Sequence, residues 1–198
     1  MPSGLLRRAM RGALGETPVR RVGIGTAGLA LVVSGLFGGL RAVGGPEVPV
    51  LAPGTSDGGQ PWAVSVIKAR LASDLPGLAL QNKADSWLVV VATVEVTSDE
   101  SRNDMREILR LSGVPGLLDE VPAYVALARD GTLVGYLNPG MPERVGFFWE
   151  HAVGSPLPKL LDVQIYGKTQ RKDSLNGHLD WLDPAKQAIV RVPIEDVR

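Results

Sequence analysis

The chain has 198 residues, no net charge and no cysteine. Without cysteine it cannot use disulfides, a thiol nucleophile or the lipid-modified cysteine of a lipoprotein, whereas a 44% hydrophobic content is sufficient for an apolar core. Because arginines near the N-terminus balance acidic residues further along, residues 42–198 are mildly acidic, which argues against nucleic-acid binding.

The first predicted element is an uncharged apolar run from Val22 to Leu40. As a helix it spans about 28 Å, close to the hydrocarbon thickness of a bilayer. Five arginines against one glutamate precede it, so the positive-inside rule predicts a cytoplasmic tail at residues 1–21 and a transmembrane helix at residues 22–41. The alternatives are a cleaved signal peptide, for which the run is long and its cleavage site poor, and a buried soluble helix.

Small residues recur at four-residue spacing within this predicted helix. They are Thr26, Ala30, Ser34 and Gly38. Such a stripe allows a second transmembrane helix to approach closely, so it is a possible packing face for a membrane-protein partner. The alternative is that it reflects the general abundance of glycine, which occurs 24 times in the chain.

Residues 42–61 are rich in glycine and proline and lack hydrophobic periodicity, which predicts a linker. Residues 62–198 then form the predicted extracytoplasmic domain.

Short alternating runs separated by turn residues predict strands throughout this domain. The predicted strands are 62–71, 87–97, a strand after a helical turn in 105–113, a hairpin in 123–137 around Asp130-Gly131, 144–150, 160–168 and 186–194, with a further turn at Asn176-Gly177. No amphipathic helix recurs between them, which disfavours an α/β fold. The prediction is an all-β domain, an immunoglobulin-like antiparallel β-sandwich of about eight strands.

Sequence motifs for enzymatic chemistry are absent, so we expect no catalytic residues, no cofactor and no metal. His151 and His178 could act together only if the fold joined them. The loop 173–183 offers oxygen ligands, but their spacing does not match a calcium loop. These residues are Asp173, Asn176, Asp180 and Asp183.

The aromatic and basic residues of the domain suggest few contact sites. Trp87 and Trp149 fall within strong strand patterns and are expected in the core, whereas Trp62 and Trp181 are candidates for exposure. Trp181, placed in a turn-rich loop, is the best candidate for a surface contact. The run Lys168–Lys172 is interpreted as a solvated strand end, with anionic lipid or wall polymer as the alternative partner.

Several phrases resemble a known group of domains. They are WAVSV from Trp62, WLVVVATVEVTSDES, the hairpin around Asp130-Gly131, LNPGMPERVGFFWE, and VQIYGKTQRKDSL with WLDP. Together they resemble bacterial, actinomycete-type, membrane-anchored immunoglobulin-like extracellular domains of unknown function, in the group loosely labelled telomeric-repeat-binding-factor-like. The resemblance covers roughly residues 62–195 and implies fold and topology, with no catalytic residues to carry over.

The sequence therefore favours a non-enzymatic accessory or interaction protein, single-pass in the cell membrane with its N-terminus cytoplasmic. Its partners would be the lipid bilayer through residues 22–41 and a membrane protein or cell-wall polymer. The helix would dock beside an export or envelope-assembly complex. The alternatives are an extracytoplasmic sensor that binds a small molecule or ion and an envelope enzyme, for which a cluster of titratable groups is required.

Overall fold

The computed structural model describes residues 47–175 and 177–198, in which Val48–Arg198 forms one compact unit. The predicted tail at 1–21, the predicted helix at 22–41 and its four small residues lie outside these ranges. Among the described residues, no helix has the length and apolar character needed to cross a bilayer.

The described part of the chain is all-β, as predicted, and contains eight strands and one 3-10 turn. The strands are β1 (Val50–Leu51), β2 (Trp62–Ala72), β3 (Ser86–Val96), β4 (Leu109–Leu111), β5 (Tyr124–Leu127), β6 (Glu143–His151), β7 (Leu160–Lys172) and β8 (Leu179–Asp196). The 3-10 turn at Met105–Glu107 directly precedes β4, which matches the predicted strand after a helical turn.

The strands form one sheet in the order β4-β7-β8-β2-β3-β6-β5, with β1 added alongside β8. Neighbouring strands are antiparallel except where β8 pairs in parallel with β1 and with β2. Strand β8 pairs with β7 over most of its length but with β2 only through Ile194–Asp196. The sheet therefore curls at β8, and its two parts share one hydrophobic core.

The core is built from alternate residues of each long strand, as the two-residue repeat requires. In β3 the inward residues run from Leu88 to Val96 at every second position, and in β6 they are Val145, Phe147 and Trp149. Trp87 and Trp149 are buried as expected, but Trp62 is also completely buried. Trp62 is not at a free chain end, because the residues before it are packed onto the domain.

Residues 50–61, which the composition assigns to a linker, contribute directly to this unit. Strand β1 pairs with Ile189 and Val190 of β8, and Ser56 bridges Ser65 of β2. These contacts use backbone groups, which glycine and proline composition does not reveal. The compact unit consequently begins at Val48, before the predicted boundary near Pro61.

The predicted hairpins differ in length from those observed. Gly131 has φ +74° as a tight turn requires, but the returning arm after β5 is reduced to a bridge between Ala126 and Leu133. In contrast, β7 and β8 extend beyond the predicted ranges. Their outer parts, Thr169–Lys172 and Leu179–Leu182, pair with each other, and we call these segments with their connecting turn the β7–β8 arm.

Candidate functional site

A cavity of about 310 Å³ opens at the end of the sheet where β3 begins and β6 and β8 end. We call it the end cavity. Its apolar lining includes Leu71, Leu157 and Ile194, and its polar lining is contributed by the residues Ser86, His151, Ser155, Lys159, Asp196 and Arg198. Its size falls in the range of small-molecule sites in proteins.

Ser86 and His151 are polar residues at the end of a row of inward-facing, otherwise apolar residues on β3 and β6. They are cross-strand partners on β3 and β6, and the next inward pair along the same strands is Leu88 and Trp149. Ser86 is 8% exposed and His151 is 4% exposed. Two polar side chains therefore occupy positions that strand alternation assigns to the core, at the point where the core meets the cavity.

The ring of His151 is oriented by a backbone group. Its Nε2 lies 2.9 Å from the carbonyl oxygen of Pro115, and a carbonyl oxygen only accepts hydrogen bonds, so Nε2 carries the proton. In the neutral ring this leaves Nδ1 as a bare acceptor. No second hydrogen bond to the ring is made by another residue in the described ranges.

The loop after β4 is packed tightly against this histidine at Gly116. Its φ is +76°, and a Cβ at this position would lie 2.2 Å from the Cβ of Ser155 and 3.3 Å from Nε2 of His151. Glycine is therefore required both for the backbone conformation and for the close approach. This contact fixes the wall of the end cavity on the side of Ser155.

The charged groups around the end cavity differ in how many hydrogen bonds and ion pairs they make. Arg198 donates from Nε and Nη2 to both carboxylate oxygens of Asp196, which lowers the pKa of Asp196 to about 2. The buried carboxylate of Asp85 accepts hydrogen bonds from the Val153 backbone N–H at 3.0 Å and from Asn82 at 3.3 Å. Lys159 lines the cavity as an exposed residue and makes no ion pair with any other described residue.

A second polar cluster lies at the opposite end of the core, over Trp62. Lys168 Nζ contacts Asp104 at 2.6 Å and Glu107 at 2.8 Å, and Arg102 also binds Asp104 at 2.6 Å. The Lys168 side chain is only 9% exposed, and its ammonium lies 5.5 Å from the centre of the Trp62 ring. The interpretation of Lys168 as part of a solvated strand end is therefore wrong.

Opposing effects act on the pKa values within this cluster. Burial raises the pKa of Asp104, but hydrogen bonds and charge interactions with Arg102 and Lys168 outweigh burial and lower it. Burial lowers the pKa of Lys168, but its contacts with Asp104 and Glu107 outweigh burial and raise it. The two cations and two anions of the cluster thus neutralise one another around the indole of Trp62, and the charged forms of Asp104 and Lys168 are both stabilised.

The histidines and acidic residues considered from the sequence are not brought together. His151 ends β6 beside the end cavity, whereas His178 lies in the turn before β8, at the far end of that strand. Asp183 is paired with Arg171, and Asp180 accepts a hydrogen bond from the backbone N–H of Trp181. No group of three potential metal-binding side chains occurs within the described ranges, and Asn176 is outside them.

Trp181 lies in a strand and not in the predicted loop. It is half-buried on β8 opposite Gln170 and belongs to the β7–β8 arm. The tip of the arm carries Leu175, which is 94% exposed, and Leu179, which is 65% exposed. Beyond the arm, the first buried residue of β8 is Ala188, so the arm extends past the core.

Sequence reasoning missed Ser86 and the cavity role of His151, although a signal for both exists. Each residue faces the same side of its strand as the buried apolar residue two positions away, which is Leu88 for Ser86 and Trp149 for His151. A polar residue at an inward position next to a strand end indicates either a buried hydrogen bond or a cavity. Lys159 carries no such signal, because it lies in an irregular segment before β7.

Comparisons with known proteins give one structural similarity. No protein family matches the chain, and no curated protein sequence matches it. The fold is similar to the crystal structure of an uncharacterized beta-sandwich protein from Clostridium difficile 630, with 8% sequence identity, coverage of 73% of this chain and 94% of that chain, and a TM-score of 0.44. The resemblance to immunoglobulin-like extracellular domains of the telomeric-repeat-binding-factor-like group therefore stays a prediction.

Proposed function

We propose that this chain is a non-enzymatic accessory protein held in the cell membrane by residues 22–41. Its N-terminus would lie in the cytoplasm, and its β domain would contact a protein of an export or envelope-assembly complex, or a wall polymer, on the outer side. The uncharged run behind five arginines supports the membrane part of this proposal. The observation that carries the interaction part is the exposed apolar tip of the β7–β8 arm.

The arm has features of a contact element. Its four paired residues per strand extend for about 13 Å. Neither strand of the arm pairs with a third strand among the described residues, so backbone groups on both outer edges are available. Exposed strand edges pair readily with an extended partner segment, and the leucines at the tip with half-buried Trp181 would supply apolar contact area.

We also propose that the domain is an immunoglobulin-like sandwich. The order β2-β3-β6-β5 corresponds to strands A-B-E-D of a constant-type domain, and β4-β7-β8 corresponds to C-F-G. This agreement in strand order supports the proposal independently of the sequence phrases. Domains of this type commonly present contact residues on their terminal loops and hairpins, which is where the β7–β8 arm lies.

Site-specific photo-crosslinking in membranes tests the role of the arm. A photoreactive amino acid at Leu175 should give a discrete adduct with one membrane or envelope component, and Leu179→Ser should weaken that adduct. The matched control is the same photoreactive group at Val153, which is 62% exposed but lies beside the end cavity, at the other end of β8 from the arm. If Val153 yields the same adducts as Leu175, or if Leu175 yields none, the arm is not the contact element.

The positions of the two histidines do not support an enzymatic function that uses them together. An envelope enzyme that used His151 and His178 together would need them within hydrogen-bond reach. They lie at opposite ends of β8. We therefore do not propose a catalytic role for this pair.

A further inference from the structure

We infer that the end cavity binds a small hydroxylated organic acid, with a carboxylate, a neighbouring hydroxyl and a short apolar body. This site is separate from the β7–β8 arm and does not depend on the interaction proposed for the arm. Three parts of the cavity lining carry the inference, and each corresponds to one part of the ligand.

The apolar lining suits a short hydrocarbon body. Leu71 is buried at the end of β2, and Ile194 and Leu157 are half-buried beside it. A volume of about 310 Å³ lies at the lower end of the range for small-molecule sites. A ligand with a few carbon atoms would cover these side chains and remove apolar surface from water.

Ser86 and His151, the polar pair at the end of β3 and β6, suit a hydroxyl group. Because Nε2 of His151 donates to the carbonyl oxygen of Pro115, Nδ1 is the ring nitrogen left for a ligand, and in the neutral ring Nδ1 accepts a hydrogen bond. Ser86, directly opposite, has a hydroxyl that can both donate and accept. A ligand hydroxyl can donate to Nδ1 and accept from Ser86, which a methyl or methylene group cannot do.

The exposed ammonium group of Lys159, which makes no ion pair with another described residue, suits the carboxylate. The other cation at the cavity, Arg198, is already engaged by both oxygens of Asp196. Asp85 accepts hydrogen bonds from Val153 and Asn82 and does not line the cavity. An anionic group is therefore favoured next to Lys159, and an ammonium group at the same position would be repelled.

Isothermal titration calorimetry on the full-length chain in a neutral detergent tests the ligand class. The probes are 2-hydroxybutanoate, butanoate and 1,2-butanediol, which separate the carboxylate from the hydroxyl on one carbon skeleton. We expect saturable binding that is strongest for 2-hydroxybutanoate, with each missing group weakening it about tenfold. Absence of saturable binding by all three probes would overturn the inference, as would equal affinity for the diol.

Variants assign the two polar contacts. Lys159→Gln should remove most of the preference for 2-hydroxybutanoate over the diol, and Ser86→Ala should remove most of its preference over butanoate. Lys186→Gln is the matched control, because Lys186 is an exposed lysine on β8 outside the cavity lining. Unchanged affinities in Lys159→Gln, or an equal loss in Lys186→Gln, would contradict the assignment of the carboxylate site.

Discussion

At the scale of single residues, Asp57 connects the segment before β2 to the sheet. Its Oδ1 accepts hydrogen bonds from the backbone N–H groups of Val64 at 2.7 Å and Gly59 at 3.2 Å. Its Oδ2 is buried without a hydrogen-bond partner among the described residues. Burial is the main influence on this carboxyl and raises its pKa above the usual 3.8, although the two backbone donors act in the opposite direction.

Replacing Asp57 by asparagine should stabilise the fold at neutral pH. A raised folded-state pKa means that the carboxyl favours folding below pH 3.8 and loses this contribution as pH rises through its folded pKa. Asp57→Asn keeps the Oδ1 acceptor and removes the buried charge, so we expect a gain in stability at pH 7 that vanishes below pH 3.8. Urea unfolding followed by tryptophan fluorescence measures it, and a loss of stability at pH 7 would contradict this account.

Individual side chains were only partly predictable from the sequence. The burial of Trp87 and Trp149 follows from their place in strong strand patterns. The same alternation could have predicted that Ser86 and His151 face the core. The role of Asp57 was not, because its partners become neighbours only when residues 50–61 fold back along β2. Side-chain hydrogen bonds to distant backbone have no local sequence pattern.

At the scale of elements, the Lys168 network attaches β7 to the 3-10 turn before β4. Asp104 precedes that turn and Glu107 ends it, and both accept from the same ammonium group. Trp62 at the start of β2 lies beneath Lys168 and Arg102, within 5.5 Å and 5.4 Å of their charged groups. The network therefore joins three elements that are distant in the sequence at one end of the core.

Removing the ammonium group should weaken this end of the domain. Lys168→Met retains the apolar stem and leaves Asp104 with Arg102 alone, so we expect a loss of about 2 kcal/mol, between the values for exposed and buried ion pairs. The pKa of Asp104 is lowered from 3.8 and that of Lys168 is raised from 10.5. The contribution is therefore present between these pH values and is lost as pH falls below the first or rises above the second.

The pH profile of unfolding in wild type and Lys168→Met measures this effect. Lys172→Met, at the exposed end of the arm, is the matched control and should change stability by less than about 0.5 kcal/mol. Equal losses in the two variants, or a Lys168→Met effect that does not depend on pH, would mean that the ion network does not stabilise the fold.

Elements with alternating apolar residues were predictable, and those held by backbone contacts were not. The sequence located β2, β3 and β6 within one or two residues, because each is rich in apolar residues that recur at every second position and face the core. It did not locate β1, which has two residues, or the arm, whose β7 segment is entirely exposed. It also assigned a complete hairpin after β5, where only a bridge returns.

At the scale of the whole molecule, the all-β class could be predicted from the composition and the two-residue hydrophobic repeat. Neither of them specifies the order of the strands in the sheet. Pairing of β2 with the end of β8 joins residues more than 120 positions apart, and nothing local specifies it. The curl of the sheet, and with it the end cavity, depends on that pairing. The predicted membrane helix rests in turn on the apolar run and its arginines, which lie in the part of the chain before the described residues.

The membrane orientation is the premise on which the proposed function depends most directly. Because the chain contains no cysteine, single cysteines can report it without background, and Leu175 is 94% exposed. In intact cells, a membrane-impermeant maleimide should label Leu175→Cys in a membrane-bound chain, and should label Ser3→Cys only after lysis. Labelling of Leu175→Cys only after lysis, or recovery of the chain in the soluble fraction without detergent, would contradict the account.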